Sequence, residues 1–288
     1  MSAFGLSVPS VVEIAQRLLP APVEFQADGR KQSRPLQEWV DADRADARRR
    51  RETDSDHSIY VRFAAALLER NVTGGSYIKR LEVFARDLGD PRTLTVERAE
   101  DMLRQSGYRF PPTGAATLMA VKELLTAPGF SWPGYFAEAE AKWQDGFEDD
   151  PLGLKRVKGI GDKVRDFALS EFSDYYCAPD LHACRMMART GLILHGYRVR
   201  AADFSTVDYR FVRAVVQRLA RSTGFPDRPG SLSPAHIDRM FWYYGQDRLR
   251  CNATPHCADC PANDLCLAGR FRKGVPSIPM SEERDDAT

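Results

Sequence analysis

The sequence has no apolar run long enough to cross a membrane. The longest, FAAALL from Phe63 to Leu68, is far shorter than the roughly 20 residues that a transmembrane helix needs. The N-terminal segment contains no basic leader followed by a continuous apolar stretch, so we expect no secretory signal. A cytoplasmic location is therefore expected, nucleoid-associated if the source is bacterial, and a reducing compartment disfavours structural disulfides.

The net charge of the chain is also small. The value is +1 over 288 residues, which by itself argues against a protein that binds nucleic acid. The distribution changes this interpretation, because residues 151–273 carry 20 Lys and Arg against 12 Asp and Glu, while residues 1–150 carry 20 against 24. The basic third of the chain fits a polyanionic partner, although a solvated basic surface has the same composition.

Strict alternation of polar and apolar residues is rare, whereas helical periodicity is common. Apolar residues recur at positions i, i+3, i+4 and i+7 in two segments, 212–219 and 237–244. Asp90 and Ser233 are favoured N-cap residues, and each precedes a proline, a pairing typical of a helix start. The sequence therefore predicts an all-α fold.

Segments rich in Gly and Pro predict loops at residues 126–136, 148–153 and 222–234. The polar segment 274–288 predicts a disordered tail. The arginine-rich run from Ala45 to Glu52 is typical of a solvated surface.

A glycine turn stands between two helical patterns in LKRVKGIGDKVRDFALSEF, residues 154–172. Gly159 and Gly161 permit a tight turn with positive φ and a close approach of the backbone. A helix that begins at Asp162 would direct its unpaired N–H groups outward, which suits a phosphate. The neighbouring Lys155 and Lys158 favour the same interpretation.

Lys163 follows this turn and has two interpretations. The ordinary one is a surface lysine or a phosphate contact. The other is an amine nucleophile, which requires an environment that favours the neutral amine, since an unperturbed lysine is almost fully protonated near pH 7. Asp180 is a candidate for a nearby carboxylate, and it is also a favoured N-cap for a helix over residues 181–191. His182 and Arg185 follow it, either as structural residues or, for Arg185, as a phosphate or carboxylate partner.

Four of the six cysteines lie within CNATPHCADCPANDLC, at Cys251, Cys257, Cys260 and Cys266. The gaps of five, two and five residues place one CxxC between two outlying thiols. A structural zinc site usually joins two separate knuckles, whereas one short loop with four cysteines favours an iron–sulfur cube. Spacing thus favours [4Fe-4S] over zinc, and both over disulfides.

The glycine hairpin with Lys163, the later Asp180-x-His182-x-x-Arg185 and the four-cysteine loop together resemble the endonuclease III branch of the helix-hairpin-helix DNA glycosylases. The resemblance covers roughly residues 58–268. It implies a two-lobed helical fold. The helical-barrel domain would span residues 53–174, and residues 1–52 plus 175–273 would form a second domain with a structural [4Fe-4S] loop.

The resemblance also implies roles for individual residues. Lys163 would attack the sugar, with Asp180 as the second catalytic residue, and the four cysteines would hold the cluster. ALLERNVTGGS resembles the family segment whose polar side chain fills the gap left by an extruded base, which is Asn71 here. The DNA contacts implied are Gly159, Gly161, Lys158, Asn71, His182, Arg185, Arg248 and Arg250.

Some positions depart from the family pattern. Lys158 stands where a hairpin proline is usual, and Arg165 stands where the following helix usually has an alanine. The first cysteine gap is one residue shorter than the common pattern. These departures leave the fold and the lysine chemistry in place as expectations and leave the base specificity open.

The expected function is a base-excision DNA glycosylase with lyase activity at abasic sites. It would act as a monomer on duplex DNA that contains a damaged or modified base, with no membrane partner. Two alternatives stay open. One is a non-catalytic iron–sulfur protein that recognises distorted DNA, and the other is a monofunctional glycosylase in which Asp180 activates water.

Overall fold

The computed structural model describes residues 10–27, 30–69, 74–144, 153–193, 206–247, 250–252 and 255–272. It is mostly helical, with α1 Val11–Leu18, α2 Leu36–Thr53, α3 Asp56–Leu67, α4 Gly74–Asp87, α5 Val96–Gln105, α6 Pro111–Leu125, α7 Trp132–Gln144, α8 Asp162–Ser170, α9 Leu181–Thr190, α10 Thr206–Ser222, α11 Pro234–Gln246 and α12 Leu267–Arg272. None of the described helices is long and apolar enough to cross a membrane.

The chain forms two compact units. The central unit comprises residues 45–178, and the terminal unit combines residues 1–44 with residues 179–288. The division at residues 53–174 that the sequence analysis proposed stays a prediction. The proposed tail at 274–288 and the segment 148–152 lie outside the described residues.

The core of the central unit is built around α3. Its FAAALL segment is fully buried, from Phe63 to Leu68, because α3 contacts both α4 and α8. Ile160 and Phe172 join the same core, and Val164 packs against it. The apolar residues predicted to face one core around the glycine turn do so, and they fix α8 against α3.

The arginine-rich end of α2 fastens this helix to the rest of the central unit. Arg50 is buried, and its guanidinium donates to the backbone oxygen of Glu171 at 3.1 and 3.2 Å. Arg51 pairs with Glu140, and Arg48 pairs with Asp174 at 2.8 Å. The prediction of a solvated run is therefore wrong for Arg50 and Arg51, which meet a carbonyl and a carboxylate that are distant in sequence, and it is confirmed for Arg48 and Arg49, which are exposed.

In the terminal unit, α9 lies against α11 with very little space between them. A Cβ added at Gly245 of α11 would approach the His182 carbonyl oxygen and the Met186 side chain of α9 to 3.0 Å. Glycine at this position allows the two helices to come this close. The apolar stripe predicted for α11 faces inward, since Ile237, Met240, Phe241 and Tyr244 are buried.

The all-α prediction is wrong for one segment, where β1 (Pro22–Ala27) and β2 (Arg30–Pro35) form an antiparallel pair. The register pairs Ala27 with Arg30. A sequence signal for this hairpin exists in Asp28-Gly29, a dipeptide that favours two-residue hairpin loops. The strand β1 is held by other parts of the terminal unit, since Trp39 donates to the Val23 carbonyl oxygen at 3.2 Å.

Two local predictions also need correction. Asp90 caps a short 3₁₀ turn, Pro91–Thr93, rather than an α-helix. The predicted loop at residues 126–136 ends earlier, because α7 already begins at Trp132. Trp132 and Phe136 are buried in the core of the central unit, so burial of aromatic side chains outweighs the glycine and proline signals there.

Candidate active site and cysteine pocket

The glycine turn is anchored on both sides before it reaches α8. A 3₁₀ turn, Leu154–Arg156, precedes it, so the described part of the first hairpin arm is shorter than the predicted helical pattern. The side chain of Thr117 in α6 donates to the Lys158 carbonyl oxygen at 3.3 Å. Ile160 is buried in the core. The bond from Thr117 and the burial of Ile160 therefore fix the turn against the core, and Lys158 is exposed.

The two glycines of the turn differ in backbone conformation and in structural role. Gly159 has φ of 93°, in the left-handed region that L-residues rarely adopt. Gly161 is the N-cap of α8 in extended conformation, with φ −91° and ψ 174°. It has no side chain with which to accept from the first-turn N–H groups of α8. This arrangement can bind an anion such as a backbone phosphate.

Substitution of each glycine gives a direct test of this difference. Gly159→Ala is expected to destabilise the central unit by about 1–2 kcal/mol, because alanine is strained at positive φ. Gly161→Ala is the matched control. Its φ is ordinary, and a Cβ there meets no atom within 4 Å, so stability should stay within about 0.5 kcal/mol. Urea denaturation of the two variants measures both values, and equal losses would contradict the assignment.

Lys163 lies in the first turn of α8, and its side chain is exposed. Arg165 of the same helix, which stands where the family pattern usually has an alanine, belongs to a buried charge cluster. The Arg165 guanidinium donates to Asp166 at 2.6 and 2.9 Å and lies 3.8 Å from Asp162. Asp162, Arg165 and Asp166 are all buried. The helix thus carries its structural charges on the inner face and presents Lys163 on the outer face.

Asp180 is the N-cap of α9, as its sequence position indicates. Its Oδ1 accepts from the backbone N–H of His182 at 2.8 Å and of Ala183 at 3.2 Å. Both cap bonds use the same carboxylate oxygen, so Oδ2 can interact with a bound group without breaking the cap. A carboxylate held in this way has a fixed position and direction.

The other predicted DNA contacts differ in their surroundings. The His182 ring lies with Nδ1 3.2 Å from the Gly245 carbonyl oxygen, which joins α9 to α11. Arg185 is half-buried on α9. Arg250 donates to the Pro22 carbonyl oxygen at 2.9 Å. Their roles in DNA binding stay predictions, and Asn71 and Arg248 lie outside the described residues.

The structure places the two predicted catalytic residues in different units. Lys163 belongs to the central unit, and Asp180 belongs to the terminal unit. Lys163 is an exposed residue of α8, and Asp180 is the capping carboxylate of α9.

The four cysteines of the loop line one pocket. The lining also includes Arg189, Arg250, Pro255, His256, Asn263, Ala268 and Gly269. All six cysteines of the chain are free thiols. The described residues contain no group of three or more His, Cys, Asp or Glu side chains that could hold a metal ion.

The pocket lined by four cysteines favours a metal site, whereas the absence of a metal-binding group among the described residues does not. The kind of metal site decides between these two observations. A single zinc ion needs all four ligand atoms at about 2.0–2.3 Å from one point. An iron–sulfur cube is bound by four thiolates on different irons, so the sulfurs need only surround a common space. The donor set of four thiols around one pocket fits the cube.

The four thiols that line the pocket are half-buried. Burial raises the pKa of Cys251, and it raises the pKa of Cys266 to about 11. Because thiolates are the metal ligands, loading the pocket must release protons. Two buried side chains outside the loop donate to its sulfurs, Arg189 to Cys251 and Tyr244 to Cys260. The sequence analysis missed both, since no local spacing relates them to the loop.

No family model matches this chain, and no curated protein matches it. Among solved structures it is similar to the 8-oxoguanine DNA glycosylase of Thermotoga maritima, at 19% identity and a TM-score of 0.48, over 72% of this chain and 89% of that one. The Methanocaldococcus jannaschii 8-oxoguanine glycosylase/lyase in complex with a 15mer DNA containing 8-oxoguanine is similar at 16% identity and the same TM-score, over 72% and 89%. A second structure from that organism matches at 16%, with a TM-score of 0.48, over 72% and 86%. At these identities and scores, the residues of this chain must carry any functional conclusion.

Proposed function

We propose that this chain is a base-excision DNA glycosylase with lyase activity at abasic sites. The observation that carries the proposal is the start of α8, where an exposed Lys163 stands in the first turn of a helix whose N-cap is glycine. An anion site and an amine therefore share one helix end. Duplex DNA supplies what both need, a backbone phosphate and a sugar carbon next to it.

Binding begins with the phosphate backbone. The N–H groups at the start of α8 and the exposed Lys158 would hold a phosphate beside the extruded nucleotide. The nucleotide must leave the duplex because a side chain cannot reach its sugar carbon within the base stack. Phe110 is 57% exposed at the N-cap of α6, with the Arg109 guanidinium 5.1 Å from its ring. This pair is available to contact bases or sugars on the same unit.

The proposed reaction uses Lys163 as the nucleophile. The neutral amine attacks C1′, the N-glycosidic bond breaks, and the base leaves with the bonding electrons and gains a proton. Asp180 stabilises the positive charge that develops on the sugar and assists the proton transfers. The amine then loses one proton, and the C1′–O4′ bond breaks as the nitrogen lone pair forms the C1′=N double bond. O4′ leaves with the bonding electrons and gains a proton, which gives an open-chain protonated imine. Loss of a proton from C2′ then expels the 3′ phosphate by β-elimination. Covalent catalysis replaces one difficult step with several easier ones.

The experiment that tests the proposal is borohydride trapping of the purified full chain on duplex DNA. Duplexes with an abasic site, 8-oxoguanine or other modified bases form the panel, and an undamaged duplex is the control. Reduction of the imine should leave a protein–DNA adduct that survives denaturing electrophoresis. No adduct and no cleavage on any duplex would overturn the proposal.

The same panel separates the two alternatives from the proposed activity. A monofunctional glycosylase in which Asp180 activates water would excise a base and leave the strand intact until alkali is added. A non-catalytic protein would shift distorted duplexes in a gel and leave every base in place. The exposed position of Lys163 at an anion-binding helix end favours the lyase over both.

We also propose that Cys251, Cys257, Cys260 and Cys266 bind a [4Fe-4S] cluster, because their thiols line one pocket. When bound, the cluster would cross-link the loop and fix the conformation of the backbone next to Arg250. Anaerobically purified protein is expected to be brown and to contain about four irons and four sulfides per chain. Zinc in place of iron, or no metal after reconstitution with iron and sulfide, would contradict this proposal.

A further inference from the structure

We propose that Arg189 and Tyr244 are positioning residues that hold the cysteine loop around its cluster and set the reduction potential of that cluster. This inference rests on the cofactor proposed above. It concerns two buried side chains outside the sixteen-residue loop, one at the end of α9 and one in α11. Each directs a hydrogen-bond donor at one of the four sulfurs.

Arg189 contacts the beginning of the loop with its side chain. Its Nη1 lies 3.4 Å from the Cys251 sulfur and 3.0 Å from the Cys251 carbonyl oxygen, and it also donates to the Asn252 carbonyl oxygen. The residue is 7% exposed. A planar guanidinium can satisfy several acceptors in a fixed geometry, which an ammonium group cannot do in the same way.

The backbone of Arg189 contacts the other end of the loop. In the free-thiol state, the Cys266 thiol donates to the Arg189 carbonyl oxygen at 3.0 Å, a bond that this cysteine gives up when it binds iron as a thiolate. One residue thus contacts both the first and the last cysteine, which are 15 positions apart in the chain. Because Arg189 sits in the last turn of α9, followed by the Gly191 C-cap, it joins the two ends of the loop to a rigid element.

Tyr244 contacts Cys260, the third cysteine of the loop. Its hydroxyl donates to the Cys260 sulfur at 3.4 Å, and its carbonyl oxygen accepts from the Cys251 N–H at 3.3 Å. The side chain is fully buried in α11. Both donors therefore act in a region with little water, where hydrogen bonds and charges have larger effects than at the surface.

The chemistry of an iron–sulfur cluster gives these contacts a measurable consequence. Four thiolates bring net negative charge into the pocket, and a buried arginine offsets part of it. Hydrogen bonds to the sulfurs also raise the reduction potential, because they stabilise the more negative reduced state. Residues that orient metal ligands typically change metal affinity by about 10- to 100-fold when they are replaced.

The variants Tyr244→Phe, Arg189→Met and Arg189→Lys test the inference in cluster-loaded protein. Tyr244→Phe removes one hydroxyl and should keep its iron while showing a lower reduction potential. Arg189→Met should release iron to a chelator roughly 10- to 100-fold faster than wild type. Arg189→Lys keeps the charge without the planar fork and should fall between wild type and Arg189→Met.

The control is Arg17→Ala. Arg17 pairs with Asp264 on the exterior of the same loop at 3.6 Å, with both side chains more than half exposed. Its loss should change neither the potential nor the iron-release rate. If Arg189→Met fails to fold, the comparison of Tyr244→Phe and Arg189→Lys with Arg17→Ala decides the outcome.

The results separate this inference from the proposed cofactor. Wild-type protein that takes up no iron would overturn both. Wild-type protein that holds a cluster, with Tyr244→Phe and both Arg189 variants indistinguishable from Arg17→Ala in potential and iron release, would overturn the positioning role alone. A lower potential in Tyr244→Phe together with the graded release of Arg189→Lys and Arg189→Met would support it.

Discussion

Lys163→Ala is expected to abolish the borohydride-trapped adduct on abasic DNA and to slow strand cleavage on the order of a thousandfold or more. The amine is the only group in the proposed reaction that forms a bond to the sugar, so no other side chain can replace it. Lys163 is exposed, and its replacement should leave stability within about 0.5 kcal/mol. Single-turnover cleavage and thermal unfolding of the same preparation give the two values.

Two other lysines of the central unit give comparisons for Lys163, with Lys142 as the matched control and Lys158 as a proposed phosphate contact. Lys142→Ala removes a lysine of α7 that pairs with Glu138 at 3.2 Å and should change neither trapping nor cleavage. Lys158→Ala removes a proposed phosphate contact. It should weaken DNA binding and reduce the salt dependence by about one phosphate contact, while trapping persists at saturating DNA. Unchanged trapping in Lys163→Ala would show that the nucleophile lies elsewhere.

Asp180→Asn is expected to lower the single-turnover excision rate roughly 100- to 1,000-fold while leaving the protein folded. Asparagine caps helices about as well as aspartate, so the bonds to the His182 and Ala183 N–H groups survive. The negative charge that would stabilise the developing positive charge on the sugar is lost. This substitution therefore separates the electrostatic role of the carboxylate from its structural role, because each role predicts a different measurement.

Asp180→Ala and Ser233→Ala complete this comparison. Asp180→Ala loses the cap as well as the charge and should cost about 1 kcal/mol of stability in addition to activity. Ser233 caps α11 by accepting from the His236 N–H at 3.2 Å, and its replacement should cost a similar amount of stability with excision unaffected. If Asp180→Asn keeps full activity, Asp180 caps α9 and its charge has no role in catalysis.

The parts of the fold that followed from the sequence are those determined by local periodicity. The stripe Ile237, Met240, Phe241 and Tyr244 predicts α11 and its buried face, and Ser233-Pro234 predicts its start. Asp180 as the cap of α9 and the turn at Gly159 were accessible for the same reason. Each depends on backbone geometry over a few neighbouring residues.

The parts that escaped the sequence analysis depend on contacts between distant segments. Arg50 and Arg51 look like a solvated run until Glu171 and Glu140 are brought to them. The donors Arg189 and Tyr244 lie in ordinary helical patterns, and only tertiary packing places them on cysteine sulfurs. The β1–β2 hairpin was missed although Asp28-Gly29 signals it locally, because each strand has only six residues and β2 is mostly polar.

The terminal unit is assembled from both ends of the chain, and this has a consequence during synthesis. The Glu24 N–H of β1 donates to Asp247, which lies 223 positions later. At about 5–20 residues per second, the ribosome needs on the order of 10–45 s to produce that partner. Throughout this interval the nascent hairpin lacks its acceptor while residues 45–178 emerge in full. The central unit can therefore fold first, and the bond between Glu24 and Asp247 forms only after Asp247 has been translated.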